Sequence, residues 1–136
     1  MEPILVDTSV WIDWFGKKSR VTSQTERLGV YLGQKMPVYI TAVILQKVLQ
    51  GVREDTEYEK VREVLLDLSM LLLDPVEAAI GAAELYRMLR KKGVTIRKPN
   101  DCLIAQYAIF YDIPILHSDV DFDQIARHSP LRIAAV

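Results

Sequence analysis

Short apolar runs alternate along the chain with stretches of helical period. Pro3-Ile4-Leu5-Val6 is apolar and β-branched at two positions, which predicts a buried strand. It stops at Asp7-Thr8-Ser9, residue types that cap helices, and a short helix is expected from about Val10 to Phe15, ending near Gly16. A second helix is predicted from about Thr22 to Leu32, closed by Gly33. Val38-Tyr39-Ile40 reads as the next strand. Thr41 then caps a helix from Ala42 to about Gln50, with Gly51 after it. A further helix covers about 54–68, and 70–73 is a third apolar run. Asp74-Pro75 opens a long helix to about Lys92, with Pro75 in its first turn. Gly93 stops it, behind Arg90, Lys91 and Lys92, cations suited to a helix C-terminus. Asn100 is expected to cap a helix over 101–111. Residues 113–117 read as a strand, 121–127 as a short helix and 131–133 as a last strand. This alternation predicts an α/β fold with a parallel sheet.

Composition narrows the class. At 136 residues, without linker or repeat, the chain is expected to be one domain, 1–136. Half of it is hydrophobic and 26% is charged, which excludes disorder. Seventeen basic side chains against eighteen acidic ones exclude a wholly basic nucleic-acid coat while leaving room for a local basic patch. The lone Cys102 excludes a disulfide framework and fits a reducing, cytoplasmic location. No apolar run reaches the ~18 residues of a membrane span, and residues 1–6 are too short for a signal peptide. There is no glycine-rich phosphate loop, and neither His117 nor His128 has a partner at zinc-ligand spacing.

The placement of aspartates is the informative feature. Asp7 ends the first strand, Asp101 opens a helix, and Asp119 follows the strand over 113–117. Each alone is explained by helix capping. Together they fall at the carboxyl edge of a parallel sheet, where open α/β folds bind ligands. Carboxylates held a few ångströms apart repel, and a hard divalent cation relieves that repulsion. Such a site also supports metal-assisted attack of water on a phosphodiester.

Asp7-Thr8-Ser9-Val10-Trp11-Ile12-Asp13 resembles the opening signature of PIN-domain ribonucleases, in particular VapC-type toxins of type II toxin–antitoxin (VapBC) pairs. The resemblance continues through Leu45–Gly51, through Asn100-Asp101-Cys102-Leu103-Ile104-Ala105, and through Leu116-His117-Ser118-Asp119-Val120-Asp121-Phe122-Asp123. Four motifs in register span nearly the whole chain. The resemblance implies a PIN-like three-layer α/β/α fold with a parallel sheet of four or five strands. It implies an acidic Mg²⁺ or Mn²⁺ site that cleaves single-stranded RNA. Asp7, Asp101 and Asp119 match the family's acids, Asp121 a further assisting acid, and Ser9 and Ser118 small polar positions that orient them. It implies a homodimer and a small VapB-like antitoxin, a tail of which crosses the acidic groove.

Position 47 departs from the pattern, which has Glu where this chain has Lys47. Leu45, Val48, Leu49 and Val52 form the buried stripe of that helix, and Lys47 lies off its centre, where a long side chain is tolerated. Three acids then face one ammonium. The loss is about 3 kcal/mol of cation binding, more than a hundredfold. The expectation is an attenuated endoribonuclease; the alternative is an inactive PIN-fold module that still binds antitoxin and RNA. Lys47 could enter the site and pair with Asp7 or Asp101. If Lys47 is only a solvated helix residue, a fourth ligand has to come from elsewhere, for example Glu54 or Asp123. Arg97 and Lys98, just before Asp101, are candidates for holding RNA phosphates. Trp11, Trp14 and Phe15 either cover the core or form a patch for a protein partner. A phosphorylation-dependent receiver is disfavoured, since neither its second acidic pair nor its late lysine is convincingly placed.

Overall fold

The computed structural model describes residues 1–16 and 20–136. Its elements run β1 (Ile4–Val6), α1 (Thr8–Phe15), α2 (Ser23–Gly33), β2 (Val38–Ile40), α3 (Ala42–Gln50), α4 (Asp55–Leu66), β3 (Ser69–Met70), α5 (Pro75–Lys91), α6 (Pro99–Tyr111), β4 (Ile115–Leu116) and α7 (Val120–His128). The four strands pair in the order β3-β2-β1-β4, all parallel.

That order fixes where a ligand can sit. The chain steps from β1 to β2 to β3 in one direction, then crosses back to place β4 on the far side of β1. Right-handed crossovers put α1–α4 on one face and α5–α6 on the other. Most helix contacts follow this division: α1 touches α2 and α3, and α3 touches α4, while α6 packs on α5 and α7; α3 also meets α6. Between β1 and β4 the connections leave toward opposite faces, the switch point at which open α/β sheets form a crevice.

β1 is buried at every position because it has a strand on each side and helices on both faces. Ile4, Leu5, Val6, Ile40, Ile115 and Leu116 form the sheet's share of one core, which Trp11, Leu28, Ile44, Leu89, Ile104 and Phe122 complete from the helices. Trp11 is fully buried; its indole N–H donates to the Val6 carbonyl (3.2 Å), and its ring stacks on Phe15 at 5.6 Å.

The capping expectations for Thr41 and Asp74 hold. The hydroxyl of Thr41 accepts from the Ile44 N–H, and Asp74 accepts from the Val76 and Glu77 N–H groups. Gly93 takes φ +80°, a left-handed conformation that suits it after the long helix. Other expectations change. α6 begins at Pro99, and Asn100 lies inside its first turn instead of capping it; proline's fixed φ suits the first helical position. The strand expected over 113–117 shrinks to Ile115–Leu116, and that over 131–133 to a single parallel bridge between Ile115 and Ile133. Two backbone hydrogen bonds make the bridge, from the Ile115 N–H to the Arg132 carbonyl (3.0 Å) and from the Ala134 N–H to the Ile115 carbonyl (2.9 Å), and the Arg132 side chain pairs beside it with both Asp112 and Glu2, each at 2.9 Å.

Candidate metal centre

Asp7 follows β1, and its own N–H donates to the Leu116 carbonyl (2.9 Å), which draws the ends of β1 and β4 together. Its Oδ2 accepts from the Ser9 N–H (3.1 Å) and hydroxyl (2.6 Å). The Ser9 Oγ in turn accepts from the Ser118 N–H at 3.0 Å. Ser9 therefore ties the loop after β1 to the loop after β4. Ser118 takes part through its backbone N–H.

Asp119 caps α7, its Oδ1 accepting from the Asp121 N–H at 3.0 Å. Asp121 stands in the first turn of α7 and Asp101 in the first turn of α6, where the helix dipole favours an anion. Asp101, Asp119 and Asp121 each bring an oxygen within 4.8 Å of the others. Asp7 is not part of this tight trio. It lines a cleft of about 540 Å³ together with two of the trio, Asp101 and Asp119, and with Thr8, Ser9, Lys47, Lys98 and Asn100.

The acids pay for their confinement. Asp7, Asp101 and Asp121 are 4%, 2% and 4% exposed. Burial first, then the charges of Asp7 and Asp119, push the Asp101 carboxyl up to about 7. Burial also opposes ionisation of Asp119, but the Asp121 N–H and the Lys98 ammonium outweigh it and hold that carboxyl below its usual range. Asp101 Oδ2 and Asp121 Oδ2 are buried without a hydrogen-bond donor. A buried carboxylate oxygen without a partner costs several kcal/mol, and a divalent cation among these oxygens would remove that cost. The donor set, hard oxygens only, fits Mg²⁺ or Mn²⁺.

Three cations ring the acids. Lys98 Nζ lies 2.9 Å from Asp119 Oδ2, and Arg97 Nε lies 3.8 Å from Asp121 Oδ1. Both residues, read from the sequence as phosphate-binding, have the acids as their first partners. Lys47 is half-buried in the cleft wall. Among the described residues it forms no ion pair within 4.0 Å, so the direct pairing with Asp7 or Asp101 does not occur. Its charge still reaches Asp101, where it favours the carboxylate.

Of the other acids considered, Asp123 lies outside the trio and contacts His117, and Glu54 lines a separate groove. That groove, about 370 Å³, runs along α1 and α3 past Trp11, Ile12, Phe15, Val48 and Val52. Ile12 borders both it and the acidic cleft. Trp11 is thus core, Trp14 packs against Gly29 on α2, and Phe15 lines the groove. Cys102 is buried, and burial followed by the charges of Asp101 and Asp121 pushes its thiol up to about 11, which disfavours the thiolate at neutral pH. Thr8, whose hydroxyl is buried without a partner in the cleft wall, was legible only as part of a capping run.

A family model described as PIN domain matches residues 4–128. The VapC ribonuclease Mb1587 of Mycobacterium bovis is 32% identical over 132 residues, covering 97% of this chain and 98% of that protein. Ribonuclease VapC1 of Methanocaldococcus jannaschii is 34% identical over 112 residues, 82% of this chain and 72% of that protein. Among solved structures, VapBC2 from Rickettsia felis bound to a DNA fragment from its promoter matches with a TM-score of 0.74 at 16% identity, covering 97% of each chain; that likeness is one of fold.

Proposed function

The chain belongs to the PIN-domain family, and from that premise we propose that it is a divalent-metal-dependent endoribonuclease, the toxin of a toxin–antitoxin pair, with all of 1–136 as its one domain. The observation that carries this reading is the trio Asp101, Asp119 and Asp121, three acids from two helix N-termini within 4.8 Å, two of them with buried, unpartnered oxygens. In this reading Asp101, Asp119 and Asp121 hold Mg²⁺ or Mn²⁺, and Asp7 completes the site from β1. A cation held there would supply Lewis acidity to the phosphodiester and lower the pKa of an attacking water. Ser9 fixes the rotamer of Asp7 and its distance from the β4 loop. Arg97 and Lys98, once a cation relieves them of Asp121 and Asp119, are placed to hold RNA phosphate oxygens.

Lys47 attenuates this activity, because an ammonium stands in the wall of a site that must gather positive charge. The same observation favours a second reading, an inactive module that keeps its partners. The partner expected in either case is a VapB-like antitoxin. An apolar groove that meets the acidic cleft at Ile12 supports it, since a segment lying in that groove can reach the acids. A homodimer in the cytoplasm completes the proposal; no helix among the described residues is long and apolar enough to cross a membrane.

The test is cleavage of a single-stranded RNA library by the purified chain with Mg²⁺, with Mn²⁺ and with EDTA, beside Asp101→Asn. Metal-dependent cleavage lost in Asp101→Asn supports the enzyme. Cleavage that survives both EDTA and Asp101→Asn refutes it. Absence of cleavage together with antitoxin binding selects the second reading.

A further inference from the structure

His117 follows β4 two residues before Asp119, is 7% exposed, and packs its ring 5.3 Å from that of Phe122. Its role is not exhausted by packing. Its Nδ1 accepts the Asp119 N–H at 3.0 Å, and its Nε2 lies 3.2 Å from Asp123 Oδ1. A ring nitrogen that accepts carries no proton, so the neutral ring's proton sits on Nε2, the nitrogen that faces Asp123. The Asp119 N–H thus fixes the tautomer, and the charge of the exposed Asp123 beside Nε2 favours the same one. Asp119 itself has its Oδ1 on the Asp121 N–H. The other tautomer would turn two N–H groups toward each other and leave both unsatisfied.

We infer that the Asp123–His117 pair is a positioning device for the metal centre: it locks the backbone of Asp119, and through it the Oδ1–Asp121 contact that sets the two carboxylates of α7 against Asp101. This rests on the metal reading above. Neither side chain belongs to the trio, and His117 acts through Asp119. It is the arrangement by which residues behind metal ligands commonly fix their orientation, and losing such a partner typically weakens metal affinity 10- to 100-fold.

Two substitutions separate the contacts of the ring. His117→Asn places an amide oxygen near the position of Nδ1 and keeps the acceptor for Asp119 while giving up Asp123. His117→Gln reaches Asp123 and gives up the acceptor. Both lose the ring's packing equally. Mn²⁺ affinity is read by electron paramagnetic resonance, and protection of the Asp119 amide by hydrogen exchange. The expected result is about a tenfold loss of Mn²⁺ affinity and a deprotected amide in His117→Gln, with both largely restored in His117→Asn. At the exposed position 123, where folding is not at stake, Asp123→Ala weakens Mn²⁺ binding by a smaller factor, and Asp123→Asn, which keeps an acceptor, does not. Equal Mn²⁺ affinity in His117→Asn, His117→Gln and the unsubstituted chain overturns the inference and leaves the metal centre standing. No Mn²⁺ binding by the unsubstituted chain sinks the metal centre and the inference together.

Discussion

Replacing Lys47 by Glu exchanges a cation in the wall of the acidic cleft for an anion, without disturbing the core stripe of α3, whose buried positions are Ile44 and Val48. With no ion pair within 4.0 Å among the described residues, Lys47 acts at a distance. A unit charge and a divalent ion at ~7 Å interact by about 2.4 kcal/mol at an effective dielectric near 40, intermediate between surface and water. Reversing the charge doubles that to about 5 kcal/mol, and salt screening at a half-exposed position brings it to about 3 kcal/mol, or about a hundredfold in affinity. Lys47→Gln, which only removes the charge, is expected to give about half the logarithmic gain. Mg²⁺ titration by calorimetry across Lys47, Lys47→Gln and Lys47→Glu measures the series, and cleavage of a fluorogenic single-stranded RNA should rise in the same order. Equal affinity and equal cleavage across the three would refute the electrostatic reasoning.

Asp101 predicts a pH dependence of stability. Its carboxyl rises from 3.8 to about 7 on folding, so its contribution is fully present below pH ~4 and is lost as the pH climbs through ~7, at most about 4 kcal/mol. The metal-free chain should therefore melt higher at pH 5 than at pH 8, and Asp101→Asn should raise the pH 8 melting temperature; a flat profile would contradict this. Lys98→Ala removes the ammonium from Asp119, and is expected to tighten Mn²⁺ binding about threefold while weakening RNA binding and flattening its salt dependence. Both affinities moving in one direction would remove Lys98 from the role given to it. Leu5→Ala, in the buried central strand, should cost about 3 kcal/mol by urea denaturation. Leu72→Ala, with Leu72 69% exposed, should cost under about 0.5 kcal/mol.

The helices were legible because their signals are local. Thr41, Asp74 and Gly93 carry cap chemistry that depends on a few neighbouring residues, and α3 and α5 lie within one residue of their expected bounds. The edge of the sheet was less legible. Whether 131–133 pairs over its length or at one bridge depends on neighbours remote in sequence, the Ile115 backbone first and then Asp112 and Glu2 beside Arg132.

For the site, the sequence determined the inventory: which aspartates end strands or open helices, that position 47 is cationic, and that the oxygens are hard donors. These follow from residue type and from the few positions on either side. Only the tertiary structure decided the grouping. The return of the chain from β3 to the far side of β1 brings the first turns of α6 and α7 together, so that Asp101, Asp119 and Asp121 form the tight set and Asp7 stands apart on its serine. It also turned Arg97 and Lys98 onto the acids, and placed His117 between Asp123 and the Asp119 backbone. Electrostatic energy varies inversely with distance in space and is indifferent to distance along the chain, so no spacing rule could have supplied those contacts.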